Sequence, residues 1–426
     1  MALNKSVVLL DLWTDSNRGD CALQIGLISM ARARWPDKEI AGVFRFGTNE
    51  MASAVEEVSY TSAQLNRVHG GLRRTYYSAR NFGRLGRRTA KLVSLYSFVE
   101  LFALLLLYKV GLRLLVPKAK RDVMELISNA ELVIWKGKNF RDYGGLAGIN
   151  RQLTLLSAGV AASFLNANVH CVNASVWRMQ SATERRLVRW AFSRCRSISV
   201  REPQSLAAIE HLQLPRIPVR FAQDLSFYCL RSRHGAVGAK RTAAAEIHDV
   251  ALTITQWGDS ASQQTYLNTL RECVRSLIAC GARRFVVVPQ VTRAAEDSSR
   301  LVAALSDFFG ENTSASLTVL SGSPDIDALL NTYERTKLLV GTRMHSCVFA
   351  LSVATPFVAI AYDAGPKWDI LKEFWPDRFI FEYGSASHHV ARAAVEAYQD
   401  GARTAVDAGS RFGALAEQSF DNVRYL

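Results

Sequence analysis

The stretch from Lys337 to Tyr362, KLLVGTRMHSCVFALSVATPFVAIAY, leaves the chain few ways to fold. Leu338 to Val340 is a short apolar run of the kind a buried strand makes. Gly341-Thr342-Arg343-Met344-His345-Ser346 interrupts it. Cys347 to Val353 then has helical spacing, Thr355-Pro356 stops that helix, and Phe357 to Tyr362 reads as a second buried strand. Strand, loop, helix, strand is the repeating unit of a parallel sheet. Arg343 and His345 fall where the strand stops and the helix starts. Open α/β sheets bind ligands at that position, and a helix N-terminus attracts anions.

The same alternation runs through most of the chain. In the first half, strands are expected at Val7 to Trp13, Glu39 to Phe46, Ala130 to Lys136, Val169 to Asn173 and Ser197 to Val200, with helices at Cys21 to Arg34 and Thr183 to Cys195. Leu230 to Asp249 is polar and rich in Arg, Gly and Ala, as a linker is. Beyond it, strands are expected at Val250 to Thr255, Arg284 to Pro289, Leu317 to Leu320, Leu338 to Val340, Phe357 to Ala361 and Phe379 to Phe381. Helices alternate with them at Gln263 to Cys280, Asp297 to Phe309, Ile326 to Arg335, Met344 to Val353 and His389 to Tyr398. The predicted organisation is an N-terminal Rossmann-like domain, 1–230, a linker, 231–249, and a C-terminal Rossmann-like domain, 250–426, ending in a helical tail. A chain of 426 residues is long enough for two cores. Two Rossmann-like α/β domains facing a cleft make a GT-B-like architecture. The opening βαβ lacks GxGxxG and so gives no case for a nicotinamide cofactor.

The net charge of +14 is concentrated. Residues 67–121 carry thirteen Lys/Arg and one acid, Glu100, and read as a basic and apolar insertion in the first domain. Within it, Leu92 to Tyr108 is apolar but for Ser94, Ser97 and Glu100. That is slightly short for a spanning helix. Two readings stay open: an interfacial helix against anionic lipid, or a core helix whose basic approach faces water. No nucleic-acid-binding motif accompanies the charge, so nucleic acid is not an expected partner. The seven cysteines are scattered, with no CxxC, which fits neither zinc nor a disulfide framework and suits a reducing cytosol. No signal peptide is read at the N-terminus, because Val7 to Leu10 is too short and Asp11 interrupts it. No Asp/His cluster calls for a metal. The expected location is cytoplasmic, peripheral on the inner face of the cytoplasmic membrane.

Single residues bear two readings each. Gly19 lets backbone approach a ligand, and Asp20 can cap the first helix. Arg201 ends a strand just before Pro203, which suits a first helical turn; an ion pair with Glu202 or Glu210 is the plainer role. His170 lies within a strand and reads as a satisfied core residue. Trp13, Trp135, Trp257 and Trp368 lie at or after strand ends, where packing is a commoner role than stacking on a sugar.

Taken in order, these segments resemble the polysaccharide pyruvyl transferases. Asn17-Arg18-Gly19-Asp20 resembles the family's N-x-G-D turn. Val133 to Lys138 resembles its glycine-rich strand end, with Lys136 and Gly137 in the motif and Lys138 in place of a family glycine. Val200-Arg201-Glu202 with Ser205 resembles V-R-[DE]-x-x-S, and Gln223-Asp224 the aspartate that follows. Pro289-Gln290 resembles its P-Q. Gly341-Thr342-Arg343-Met344-His345 is very close to G-x-R-[LM]-H. Pro356, Tyr362 and Lys367 resemble the trailing P and Y-x-x-K, with a longer Tyr–Lys spacing.

The resemblance implies transfer of a pyruvyl group from phosphoenolpyruvate to a sugar of a polysaccharide or its lipid-linked precursor, forming a pyruvate ketal. It implies no cofactor beyond that donor. It makes His345, Arg343 and Arg201 catalytic candidates, and Asn17, Gly19, Asp20, Lys136, Gly137, Gly341, Thr342, Met344, Tyr362 and Lys367 substrate-binding candidates. The chemistry fits the residue types. The donor is a small polyanion, which arginine forks suit, and ketal formation moves protons, which histidine does near neutral pH. Whether His345 acts as acid, base or phosphate ligand stays open. Two other classes compete: a nucleotide-sugar glycosyltransferase of the same architecture, and a non-catalytic membrane-associated scaffold. Against the first, no pair among Glu311, Glu334, Glu373, Glu382 and Glu396 has the eight-residue spacing many such enzymes carry.

Overall fold

The computed structural model describes residues 6–47, 51–73, 83–214, 216–231, 247–256, 258–292, 298–310, 314–322, 325–362 and 365–426. The chain divides into two compact units, and neither is one continuous stretch. Unit 1 comprises Met1–Asp15, Gln24–Leu225 and Gln418–Leu426; unit 2 comprises Ser16–Leu23 and Ser226–Glu417. The expected boundaries at 230 and 250 therefore miss two exchanges of chain. Of the expected linker, residues 232–246 lie outside the described residues, and His248 and Asp249 already belong to a strand.

Unit 1 holds β1 (Val7–Leu12), β2 (Ile40–Gly47), β3 (Arg67–Gly71), β4 (Leu132–Lys136), β5 (Asn139–Phe140), β6 (Val169–Val176), β7 (Ser197–Val200) and β8 (Val219–Phe221). The order is β3-β2-β1-β4-β6-β7-β8, with β5 against β6, and every pairing is parallel. All six residues of β1 are buried, as in a central strand covered on both faces. The strand order reverses between β1 and β4, which makes their C-terminal ends a topological switch point.

The stretch 67–121 is not a separate insertion. It begins with strand β3, and residues 74–82 lie outside the described residues. The helix Gly83–Lys109 sends Leu101, Leu104, Leu105 and Tyr108 into the core of unit 1, beside Val123, Met124 and Ile127 of the helix Lys118–Asn129. Neither reading of Leu92 to Tyr108 holds alone, since one side of this helix is core and the other is exposed. Among the described residues, no helix is long and apolar enough to cross a membrane.

Unit 2 holds β9 (His248–Thr253), β10 (Arg284–Val287), β11 (Ser316–Val319), β12 (Thr336–Gly341), β13 (Phe357–Ala361) and β14 (Ile380–Glu382), in the parallel order β11-β10-β9-β12-β13-β14. Its switch point lies between β9 and β12, where Leu338 pairs with Val250 and Gly341 with Thr253. Asp259 and Asp325 cap helices here by accepting from Ser262 N (2.8 Å) and Ala328 N (2.7 Å). The expected helix His389 to Tyr398 is longer, Ser387–Ser410. Gly401 lets the helix pack on Pro356, whose Cβ lies 2.8 Å from where a Gly401 side chain would begin.

Candidate functional site

β12 is buried on both faces of the unit 2 sheet but for Lys337, and it ends at Gly341. Thr342 then turns inward. Its amide meets Thr253 O (3.2 Å) and Thr253 Oγ1 (3.1 Å), and its hydroxyl bonds Thr253 O and Tyr266 Oη. Ser346 Oγ adds a bond to Thr253 Oγ1 (3.0 Å). The loop is thus latched to the end of β9, across the switch point. Arg343 is the N-cap residue of the helix Met344–Ser352, and its own side chain makes no capping bond. Its backbone carbonyl accepts from Ser346 N (2.9 Å). Arg343 also lines a crevice with Ile254, Val288, Gln290, Thr292 and Ser298. A guanidinium beside a helix N-terminus at a switch point suits an anion on two counts.

Gly19 explains itself beside His345. A side-chain carbon on Gly19 would sit 2.3 Å from His345 Nδ1 and 2.7 Å from Cγ, so the imidazole rests on bare backbone. The segment before Gly19 is tied into unit 2 by an antiparallel bridge between Asn17 and Val291. Arg18 N donates to Gln290 O (3.0 Å) and Thr292 N to Ser16 O (3.0 Å). The helix Arg18–Arg34 is capped by Asn17, not Asp20. Asn17 Oδ1 accepts from Gly19 N (3.1 Å), and Asn17 Nδ2 donates to Asp20 Oδ2 (2.9 Å). Sequence motifs more than three hundred residues apart, N-x-G-D and G-x-R-M-H, therefore meet in one unit.

Several candidates turn inward. Thr342 and Met344 are buried, and Thr342 holds the loop through its bonds to Thr253 and Tyr266. Gly341 is there for closeness: a side chain would meet Cys347 Sγ at 3.0 Å. Lys367 Nζ donates to Tyr362 Oη (2.7 Å), so the longer spacing still brings that pair together.

Unit 1 has its own polar cluster at its switch point. Asp11, at φ +65°, ends the apolar run of β1. Arg45 grips it with two bonds (2.8 and 3.0 Å), and Lys138 Nζ bonds its carbonyl (3.0 Å). Burial acts to raise the Asp11 carboxyl, but Arg45, Lys138 and Lys136 outweigh it and hold the pKa below its usual value. Lys136 is 1% exposed beside this cluster. Gly137 is a packing glycine, since a side chain would fall 2.6 Å from the Ala174 backbone. Sequence reasoning passed over Asp11 and Arg45; a lone carboxylate inside an apolar strand was the available signal.

Arg201 makes the ion pair with Glu202 that its plainer reading expects, and more besides. It is 6% exposed and spends its guanidinium on Glu202 (2.9 Å), Asp224 (3.0 Å) and Asn139 (2.8 Å). Burial acts to lower its pKa, yet the two carboxylates hold it raised. Its charge is already met, which suits a positioning role at the ends of β5 and β7. Trp135 is wholly buried and Trp13 stacks on Phe46 at 5.0 Å, so both pack; Trp257 lies outside the described residues. His170 is also a packed residue, bonded to Ser197 Oγ (2.7 Å) and Asn168 Oδ1 (3.0 Å). Among the described residues, no group of three or more His, Cys, Asp or Glu could hold a metal.

Solved structures with this fold include Anabaena Alr3699/HepE in complex with UDP, at 14% identity and TM-score 0.53, over 98% of this chain and 96% of that one. The UDP-N-acetylglucosamine 2-epimerase from Rickettsia bellii matches at 9% identity and TM-score 0.58, over 98% and 96%. The UDP-GlcNAc 2-epimerase from Neisseria meningitidis bound to UDP-GlcNAc matches at 9% and 0.56, over 96% and 97%. At such identities the likeness establishes the fold, and the class is a GT-B-like double-Rossmann protein. A comparison with curated proteins gives no match. The family model for polysaccharide pyruvyl transferase matches residues 101–364, well over half of the chain, and the chain belongs to that family. It is an enzyme that transfers a pyruvyl group to a sugar.

Proposed function

We propose that phosphoenolpyruvate is the donor and that the acceptor is a sugar of an envelope or extracellular polysaccharide, or of its lipid-linked precursor. The enzyme then works at the cytoplasmic face of the membrane, against anionic lipid. The observation that carries this reading is the unit 2 switch point: Arg343 at a helix N-terminus, with His345 two residues on and seated against Gly19. Arg343 and the helix start take the anionic groups of the donor. A proton added to the methylene carbon turns it into the methyl group and leaves the neighbouring carbon electrophilic. One sugar hydroxyl adds there and loses its proton; a second displaces phosphate as the C–O bond breaks. The product is the cyclic ketal plus inorganic phosphate. His345 handles one of these protons. The resemblance adds Tyr362 and Lys367 to the ligand-binding set, and Asn17 and Asp20 as the residues that fix the Gly19 turn. Lys136 and Lys138 serve the acceptor side of unit 1.

Thermal unfolding tests the donor. A ligand bound only by the native state, at about 100 times its dissociation constant, adds ~2.7 kcal/mol. Phosphoenolpyruvate raises the melting midpoint and UDP-glucose does not. UDP is named with one of the fold's solved relatives, which makes a UDP-sugar the apt competitor. A rise with the UDP-sugar alone overturns the donor assignment.

A further inference from the structure

One side of the helix Gly83–Lys109 has no part in the chemistry. Leu101, Leu104, Leu105 and Tyr108 enter the core, while Tyr96, Val99, Leu106 and Val110 stand exposed. Their spacing makes a single stripe along the helix. Apolar stretches of a helix are ordinarily covered; from Tyr96 onward this helix has apolar residues on two sides and one side is covered. The stripe continues into the turn beyond. Gly111, at φ +87°, ends the helix, with its amide donating to Tyr108 O (3.3 Å) and the Leu112 amide to Leu107 O (2.9 Å). The turn then projects Leu112, Leu114 and Leu115. Leu114 is 90% exposed, the largest value among exposed large apolar side chains of the described residues.

Cations ring this tip. Lys109, Arg113 and Lys118 are exposed. The Arg113 guanidinium lies over the Tyr108 ring (4.6 Å), and Arg121 Nη1 donates to Arg113 O (3.4 Å). The nearby acids are engaged: Asp122 with Lys118 (2.8 Å) and Glu100 with the buried Lys120 (2.6 Å). The turn also meets part of its own backbone demand, with Leu115 N bonding Leu112 O and Val116 N bonding Arg113 O (both 3.1 Å). A loop entering a lipid interface needs its peptide groups met in this way.

We propose that the turn 110–115 and the outer stripe of its helix are a membrane seat. Leu112, Leu114 and Leu115 dip below the headgroups of an anionic bilayer, and Lys109, Arg113 and Lys118 rest on its phosphates. Charge favours lipid over a second copy of the chain, because a two-fold contact would set this cationic rim against itself. The seat refines the membrane contact proposed above: it lies on the exposed turn and stripe, not on the whole of Leu92 to Tyr108, of which Leu101, Leu104, Leu105 and Tyr108 are core. Flotation is measured without substrate, so its failure leaves the donor assignment standing.

Vesicle flotation tests it. The full chain floats with vesicles of equal parts phosphatidylglycerol and phosphatidylcholine, and less so in high salt. Leu112→Ser/Leu114→Ser/Leu115→Ser lowers partitioning about tenfold or more, with an unchanged melting midpoint and unchanged protection by phosphoenolpyruvate. Should the triple variant melt early, Leu114→Ser alone carries the comparison and floats less than the wild type. Arg113→Glu/Lys118→Glu removes the preference over pure phosphatidylcholine. The proposal is overturned if the wild type stays unbound at low salt, or if the serine variants float as well as the wild type. It is equally overturned if the wild type is a dimer without lipid and the triple variant a monomer.

Discussion

His345 touches the Gly19 backbone, and both it and Arg343 stand on a loop latched by Thr342. Arg343→Ala and His345→Ala each lower transfer ~10²–10⁴-fold, the usual cost of losing a proton-transfer group or an anchoring charge. Gly19→Ala does the same by pushing the imidazole aside. Phosphate release from phosphoenolpyruvate in the presence of acceptor reads this out, with circular dichroism as the check on folding. Full turnover by His345→Ala sinks its role. His170 bears on pH instead. Burial, with the Arg196 charge adding to it, pushes its pKa down from 6.5 to about 4. Between those values the unfolded chain binds a proton that the fold refuses. The contribution is therefore complete above pH 6.5 and lost as pH falls toward 4. The melting midpoint should drop across that window, and His170→Gln should flatten the drop; an unchanged slope refutes the assignment. Arg343 and His345 were legible because they lie together in sequence. For Arg201 the pair with Glu202 was legible because the two are adjacent, while Asn139 and Asp224 come from distant segments that only the fold assembles.

At the scale of elements, the central strands announced themselves by unbroken apolar runs, because a strand covered on both faces has no polar side to show. The edges did not. β3 reads Arg-Val-His-Gly-Gly and β8 is three residues long, so neither carries a period to detect. The helix Gly145–Leu165 was missed for another reason. It opens on Gly144 and Gly145, both at positive φ, and contains two more glycines that look like loop. Those two serve packing: Gly148 faces Tyr143 and Glu184, and Gly159 lies under the Trp135 ring, 2.3 Å from where its side chain would begin. The helix Phe412–Arg424 makes the element-level prediction. Ser199 Oγ donates to Asn422 Oδ1 (2.6 Å), Asn422 Nδ2 donates to Gln223 O (2.9 Å), and Ser419 Oγ donates to Asp224 O (2.8 Å). Asn422→Leu strands the first two buried groups at ~1–3 kcal/mol each. Urea unfolding should show a lower midpoint; an unmoved one removes this helix from the stability of unit 1.

For the whole molecule, two Rossmann-like sheets could be read from the alternation, since each βαβ step writes its own signal. Membership could not, because periodicity says what an element is and not which sheet it joins. Ser16–Leu23 counts with unit 2 and Gln418–Leu426 with unit 1. A fragment of residues 1–230 should therefore melt without a cooperative transition, although it contains every strand of unit 1. A sharp melt of that fragment near the full chain's midpoint would contradict this. The exchange also has a consequence for synthesis. Residues 418–426 leave the ribosome only after all of Ser226–Glu417 has been made, so the sheet that begins first is sealed last. A chain broken off anywhere before Asn422 emerges with its N-terminal half unlatched, which hands every truncated product to the proteases.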